Sequence, residues 1–559
     1  MDRLSTELLS MIAAEAAACG PQIDINTVFD VWDSGDTLKN PRTLSRHNSL
    51  APYAAVSHNW QLAFEPFTFH TLVISPKRLI EAAQHGYLTE RRLGYVRFIA
   101  VLIAFPLPRP WDTPIVFPPG LDVRRDFLRA RDDTGSLSSE DELEEHEGDG
   151  DGDFITSVID FPHPRDRGYD RVFAKIMRIL FNALKLAPVH ENQEPYIDIR
   201  FGFPIPREYG LSRISSPEEM EASTLESHWL TTVYLGMNHD GKELPELPSI
   251  ASCSFELVSW SLCFEPHTAC ILASKMPYLK KLKLHLSDRE LKEPGLRIEL
   301  RNSKASMGYI PESLTVLVEL ASSLSILPQG IYDFDFHYSR GIPRDHVHIP
   351  TSILDPEENC DRLSQALFNF SQRENITRFS AEGSFELTIM GPSEEALSGC
   401  PGWSKLENYE IGFLAITPAG KWLAVPYKED PNIDIFKTKR WGPPSGPSRG
   451  YYSSFNVNEF RGPIDPEYAH ELLCAAGEAA SHMPGLQRMI INVGVIGSYR
   501  VSYNSAKVEP CMRIVGKKLQ PPEEDMLRIW RRVAREHDHK LVLRWKDTAR
   551  IKTRMEDFE

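Results

Sequence analysis

Along the first eighty residues the apolar positions fall at helical spacing twice and then change to the pattern of a strand. Leu8, Met11, Ile12 and Ala16 recur three or four residues apart, so Leu4–Ala17 is predicted as a helix with one apolar stripe. Ser5 stands where an N-cap belongs, Leu4 and Leu9 are spaced for a hydrophobic staple across it, and Glu7 lies in the first turn, where the helix dipole favours an anion. Val56, Trp60, Ala63 and Phe64 repeat the stripe within Leu50–Glu65, and Pro66 is expected to end that helix. Thr68–Ser75 is β-branched and aromatic and reads as a strand bounded by Pro76. Helices this short are marginal alone, so the pair must dock on itself or on something else.

Further on, Pro76–Gln84 is predicted as a helix, Arg91–Ile103 as a run into a buried strand, Tyr169–Leu186 as a strongly amphipathic helix and Tyr196–Phe201 as a strand. A spacing then recurs: one apolar residue, another three on, a third two beyond. It occurs at Val96/Ile99/Val101, Leu230/Val233/Leu235, Leu279/Leu282/Leu284, Ile376/Phe379/Ala381, Leu406/Tyr409/Ile411 and Leu486/Met489/Ile491. Helical stretches precede several copies (His267–Met276, Leu363–Phe370, Pro466–His482), which is the strand-plus-helix logic of a leucine-rich repeat. The copies lie roughly 30 to 130 residues apart, against about 20–29 in regular arrays, so large insertions are implied. A terminal helix, Glu523–His537, and strand, Lys540–Trp545, close the chain. The expected fold is α/β: a small helical N-terminal module (1–75), the first repeat-like units (76–131), an insertion (132–153), and an irregular α/β solenoid (154–559) with a loop near 437–454. Ordinary strands of an irregular α/β domain are the competing reading.

Composition changes this picture in two ways. At 559 residues, 42% of them apolar, the chain exceeds what one small core requires. It is acidic, with 78 acids against 62 bases, yet much of the excess is local. Asp132–Asp153 carries eleven acids and neither Lys nor Arg, and removing its charge takes the formal net charge from −16 to −5. That segment buries too little apolar area to offset its ordering entropy and reads as disordered. The mildly acidic remainder argues against sequence-independent nucleic-acid binding. Eight scattered Cys without a Cys-x-x-Cys pair predict reduced thiols in the cytoplasm or nucleus, and the lack of a long apolar run predicts no membrane span.

The N-terminal residues then carry a resemblance. Leu4-Ser-Thr-Glu-Leu-Leu-Ser-Met-Ile12, followed by Leu50-Ala-Pro-Tyr-Ala-Ala-Val-Ser-His-Asn-Trp60, resembles a divergent F-box, and the chain as a whole resembles fungal F-box-like proteins, including in Ile416–Trp422 and Ala475–Pro484. The resemblance implies a non-enzymatic substrate receptor of an SCF-type cullin-RING ubiquitin ligase. Leu4, Leu8, Ile12, Val56 and Trp60 would build the F-box or meet a Skp-type adaptor, and the repeat-like region would hold a protein target. Ser5 in place of the family's Pro, and the long Gly20–Arg46 insertion, favour an alternative: a degenerate F-box packed on the chain's own C-terminal domain, with a structural role and no ligase function.

Candidate chemistry is thin. Gly446-Pro-Ser-Arg-Gly450 matches a nucleophile elbow, but Pro443, Pro444 and Pro447 break the required strand-to-helix context. His470-Glu-Leu-Leu-Cys474 approaches a zinc-peptidase helix, with Cys in place of the second His, and a packed helix accounts for it. Asp149, Asp151 and Asp153 imitate a calcium loop that has Phe154 where Gly is needed and Asp160 where Glu is needed. His346/His348 and His537/His539 find no further ligands by spacing, and Arg528, Arg531, Arg532 and Arg535 read as a solvated face. No metal or cofactor is expected. Ser138 and Ser139 precede Glu140-Asp-Glu142 and are candidate phosphorylation sites.

Overall fold

The structure, a computed structural model, describes residues 5–19, 53, 55–103, 167–189, 194–202, 233–256, 262–288, 320–340, 350, 352–354, 360–391, 402–426, 461–494, 499–505, 510–516 and 520–547. The chain divides into two compact units, residues 1–250 with 257–268 and residues 251–256 with 269–559. The acidic segment 132–153 and the loop 437–454 lie outside the described residues.

The first unit opens with a helix pair, α1 (Thr6–Cys19) and α2 (His58–Thr68). Ser5 caps α1: its Oγ accepts from the Leu8 N–H at 3.4 Å and its carbonyl from the Leu9 N–H at 3.0 Å. The face α1 turns toward α2 is Leu9 and Ala13, which close a small core with Ala63 and Phe64 and pack against Trp60 and Phe67. α2 differs from the expectation at both ends. It starts at His58 because Ser57 is the N-cap, its Oγ accepting from the Trp60 N–H. It also runs through Pro66 to Thr68. Near the end of a helix a proline removes one backbone bond only, and Thr68 Oγ1 donates to the Phe64 carbonyl at 2.9 Å while the Phe69 N–H donates to the Glu65 carbonyl. The continuation delivers Phe67 to the core.

Behind the pair come β1 (Thr71–Ile74), α3 (Pro76–Gln84), α4 (Glu90–Tyr95), β2 (Phe98–Leu102), α5 (Arg167–Leu184) and β3 (Ile197–Gly202). The three strands are parallel, Thr71 facing Phe98 and Phe98 facing Asp198. Ser75 and Thr89 cap α3 and α4. Glu65, 2% exposed, ties α2 to α4: Arg91 Nη2 reaches its Oε2 at 2.5 Å and Arg92 its Oε1 at 3.1 Å. α5 buries Val172, Phe173, Ile176, Leu180 and Leu184, as its spacing predicts. β4 (Val233–Leu235) pairs in parallel with a strand described below.

The chain continues through β5 (Ile250–Glu256), β6 (Leu262–Phe264, the partner of β4), α6 (Pro266–Ser274), β7 (Lys281–Asp288), α7 (Leu320–Ser323), β8 (Asp333–Arg340), α8 (Arg362–Ser371), β9 (Arg378–Gly383) and β10 (Asn408–Leu414). It ends with β11 (Ala424–Pro426), β12 (Arg461–Ile464), α9 (Pro466–Ser481), β13 (Arg488–Gly494), β14 (Tyr499–Asn504), β15 (Cys511–Gly516), α10 (Glu524–Glu536) and β16 (Leu543–Asp547). In the second unit the strand order is β5-β7-β8-β9-β10-β13-β14-β15-β16. Pairing is parallel from β5 to β13, antiparallel through β14 and β15, and parallel again to β16. The protein is thus a mixed α/β fold with a large, mostly parallel sheet.

The recurring spacing marks this sheet. Leu282, Phe334, Phe379, Tyr409 and Met489 stand in register on successive strands. Each is preceded three residues earlier by a buried anchor: Leu279, Ile331, Ile376, Leu406 or Leu486. Ile331/Phe334/Phe336 is therefore a further copy. Leu230 lies outside the described residues, and Val233/Leu235 belongs to β4 rather than to this sheet. Anchors at Leu279, Ile376 and Leu486 close a turn by donating their N–H to Met276, Arg373 and Met483. The inward side chains meet the helices: Phe334 packs at a tilt on Phe370 of α8 at 4.3 Å, Phe413 meets Tyr468 of α9 at 6.4 Å, and Tyr503 meets Trp530 of α10 at 5.3 Å. In Ile416–Trp422, the turn needs Gly420 at φ +79°, its N–H bonding the Thr417 carbonyl.

Candidate functional site

Three places on this framework carry chemistry. The first is the outer side of the helix pair. Because Leu9 and Ala13 make the internal core, the neighbouring apolar positions of α1 are left outside: Leu8 is 49% exposed, Met11 67% and Ile12 45%. Val56 and Tyr53 add to the exposed apolar surface of this module, at 54% and 49%. Trp60 is half-buried, stacked on Phe64 at 5.3 Å and on Tyr53 at 6.2 Å. Of the five residues expected at an adaptor surface, Leu8, Ile12 and Val56 are thus on the exterior and Trp60 braces the pair. Leu4 lies outside the described residues.

The second is the face of the large sheet opposite α8, α9 and α10. In-register rows there are polar: Lys283, Asp335, Ser380 and Glu410 in one, His285, His337 and Glu382 in the next. His285 Nε2 lies 3.5 Å and Lys283 Nζ 3.9 Å from Asp335 Oδ2, and His337 Nδ1 lies 3.4 Å from Glu382 Oε2. Burial would raise the Asp335 carboxyl, but the hydrogen bond and charge of His285, with Lys283 and Ser380, hold it below the usual carboxylate range. Glu382 is held low chiefly by its hydrogen bond to His337. The carboxylates gather on β8 to β10. Toward the other edge the same face becomes basic, with Arg488, Arg500, Arg513, Arg544 and Lys546 all exposed. A shallow cavity of about 130 Å³ lies near the transition, lined by Arg378, Ser380, Asn408, Glu410 and Arg488.

The third joins α9 to α10. Leu472, Leu473 and Ala476 are buried as expected, but His470 and Cys474 sit one turn apart on another side of α9, facing the start of α10. His470 Nε2 lies 3.1 Å from Asp525 Oδ2 and 3.7 Å from Cys474 Sγ, while its Nδ1 lies 4.0 Å from Glu523 Oε2. The Met526 N–H, with the charge of His470, holds the Asp525 carboxyl below its ordinary value. The spacing of His470 and Cys474 was visible in the sequence. Asp525 and Glu523 were not, since only the packing of two helices brings them there.

Other sequence candidates resolve differently. His537 Nδ1 and His539 Nε2 both approach the Tyr503 hydroxyl, at 2.8 and 2.6 Å, and form a hydrogen-bonded cluster. Arg531 pairs with Glu524, and Arg532 with Glu478. Cys253, Cys263 and Cys270 are buried, and burial pushes the Cys270 thiol up to about 12, so it is inert at neutral pH. Ser138, Ser139, Gly446–Gly450, His346, His348 and the Asp149–Asp153 run lie outside the described residues. Among the described residues no helix is long and apolar enough to cross a membrane.

The class these observations define is an α/β protein with a mostly parallel sheet, covered on one side and charged on the other. Residues 456–557, spanning β12 to β16, match the model of a family of unknown function, DUF6546. No curated protein and no solved structure matches the chain.

Proposed function

We propose that the protein is a substrate receptor of an SCF-type cullin-RING ubiquitin ligase, docking a Skp-type adaptor through α1 and α2 and holding a protein target on the open sheet face. The observation that carries this reading is the exposure of Leu8, Met11 and Ile12 beside a core that Leu9, Ala13, Ala63 and Phe64 complete without them. An apolar ridge that its own module does not need is the expected anchor set for a partner. The alternative reading, a degenerate F-box folded onto the chain's own C-terminal domain, would use the same apolar ridge against a partner within the chain, and adaptor binding separates the two.

The sheet supports the second half of the proposal. A repeated strand-and-helix unit with its helices on one side presents in-register side chains as a continuous recognition surface, as in leucine-rich solenoids. Its graded charge suits a target carrying a basic and an acidic patch in sequence. Catalysis then belongs to the other ligase subunits. The receptor acts by raising the effective concentration of target lysines near the loaded conjugating enzyme.

The test is co-purification of the full chain with a Skp-type adaptor. Wild type is expected to retain the adaptor, and Leu8→Asp/Ile12→Asp to lose it while melting normally. Each buried anchor is worth about 2 kcal/mol, or roughly 30-fold in affinity. Failure of the folded wild-type chain to bind overturns the proposal.

A further inference from the structure

We infer that His470, Cys474 and Asp525 form a binding site for one divalent transition ion of the zinc class, a property separate from adaptor docking. Three different donor types converge here: an imidazole nitrogen, a thiol sulfur and a carboxylate oxygen, all within 4.8 Å of one another. A tetrahedral ion with bonds of about 2.0–2.3 Å holds its ligand atoms roughly 3.5 Å apart, so small side-chain rotations close the set. His470 and Cys474 are i and i+4 on α9, the spacing that points two side chains to one spot.

The arrangement also differs from its closest rival in where Asp525 sits. In a cysteine–histidine–carboxylate relay the thiol and the carboxylate meet opposite nitrogens of the ring, so that the base can accept the thiol proton. Here Asp525 and Cys474 both face Nε2, and a proton held on Nε2 for Asp525 leaves that nitrogen no lone pair for the thiol. Convergence on one nitrogen is what a metal requires. The other nitrogen, Nδ1, lies 4.0 Å from a Glu523 carboxylate oxygen, beyond direct hydrogen-bond reach.

The frame is rigid. Trp530 Nε1 of α10 donates to the Leu473 carbonyl of α9 at 3.0 Å, and the helices approach so closely at Gly477 that an added Cβ would lie 2.5 Å from Ile529 Cγ2. A cavity of about 360 Å³ lies alongside, lined by His470, Glu523, Tyr499, Met526 and Trp545. Tyr499 is 2% exposed, and its hydroxyl has no hydrogen-bond partner among the described residues. Three protein ligands beside such a cavity leave the fourth position to water or to a small anion. The thiolate selects against calcium and magnesium. On binding, the Cys474 S–H bond breaks, its proton passes to solvent, and the sulfur–metal bond replaces it. All three donors lie within the segment that matches the family model.

Cobalt titration of the reduced, full-length chain tests this, followed by competition with zinc. One equivalent of cobalt is expected to raise a thiolate-to-metal charge-transfer band and tetrahedral visible bands, which zinc abolishes. Cys474→Ser should lose the charge-transfer band, and Asp525→Asn, an exposed position, should weaken uptake. Cys511→Ser should leave the spectrum unchanged. If the folded wild type shows no band at one equivalent, or the band survives in Cys474→Ser, the assignment is wrong.

Discussion

The helix pair and the large sheet solve opposite problems with their outer surfaces. α1 and α2 spend few residues on their own core and leave apolar side chains outside. The sheet turns most apolar side chains of its in-register rows toward the helices and gathers charge on the other side, with Ile490 and Val515 as exceptions. An apolar ridge draws its affinity from desolvation and suits a constant partner. A face of paired His, Lys, Asp and Glu contributes little net affinity but discriminates strongly by charge and register, which suits a selected target. One chain thus carries an adhesive surface and a reading surface on separate units.

The sharpest way to break this contrast is to exchange inside for outside on the helix pair. Phe64→Ala empties the core and should cost about 3–5 kcal/mol, whereas Leu8→Ala, on the exterior of α1, should stay within about 0.5 kcal/mol. Chemical denaturation monitored by helical ellipticity measures both, and equal losses would mean that the ridge is core. Next in size is the buried carboxylate behind the pair. Glu65→Ala removes the carboxylate that Arg91 and Arg92 share and should cost about 1.5–3 kcal/mol, read as a lower melting temperature, while Glu65→Gln keeps part of the hydrogen bonding.

The smallest effect belongs to the charged face. Asp335 and Glu382 are held below their ordinary values of 3.8 and 4.5, so their pairing adds stability that is fully present above about pH 4.5 and fades as pH falls below it. At neutral pH the Lys283–Asp335 pair is worth about 0.2–1 kcal/mol. Asp335→Asn/Glu382→Gln should therefore flatten the acid limb of a stability profile while barely moving the neutral value. An unchanged acid limb would show that these pairs do not couple to folding.

Much of the framework was legible because burial on one side imposes a period. The amphipathic stripe of α5 and the three-then-two spacing of the strands survive insertions, since each strand must place the same side chains against its helix. Ile331-Tyr-Asp-Phe-Asp-Phe-His-Tyr338 carries both that spacing and strict alternation. The ridge was harder. α1 is apolar on nearly every side, so Leu4/Leu8/Ile12 and Leu9/Ala13 fit the helical period equally well, and only the position of α2 decides which set is covered. Pro66 misled because a proline stops a helix in its interior far more reliably than in its last turn. The α9–α10 cluster was half visible: spacing on one helix gives His470 and Cys474, but no periodicity brings Asp525 to them.

The account rests on α1 and α2 meeting a foreign chain. Hydrogen exchange of the full-length protein, alone and saturated with a Skp-type adaptor, tests that directly. Peptides covering 6–19 and 58–68 should gain protection on adaptor binding while those from β7 to β10 remain unchanged. Unaltered exchange at 6–19 and 58–68, or protection confined to the sheet, would contradict it.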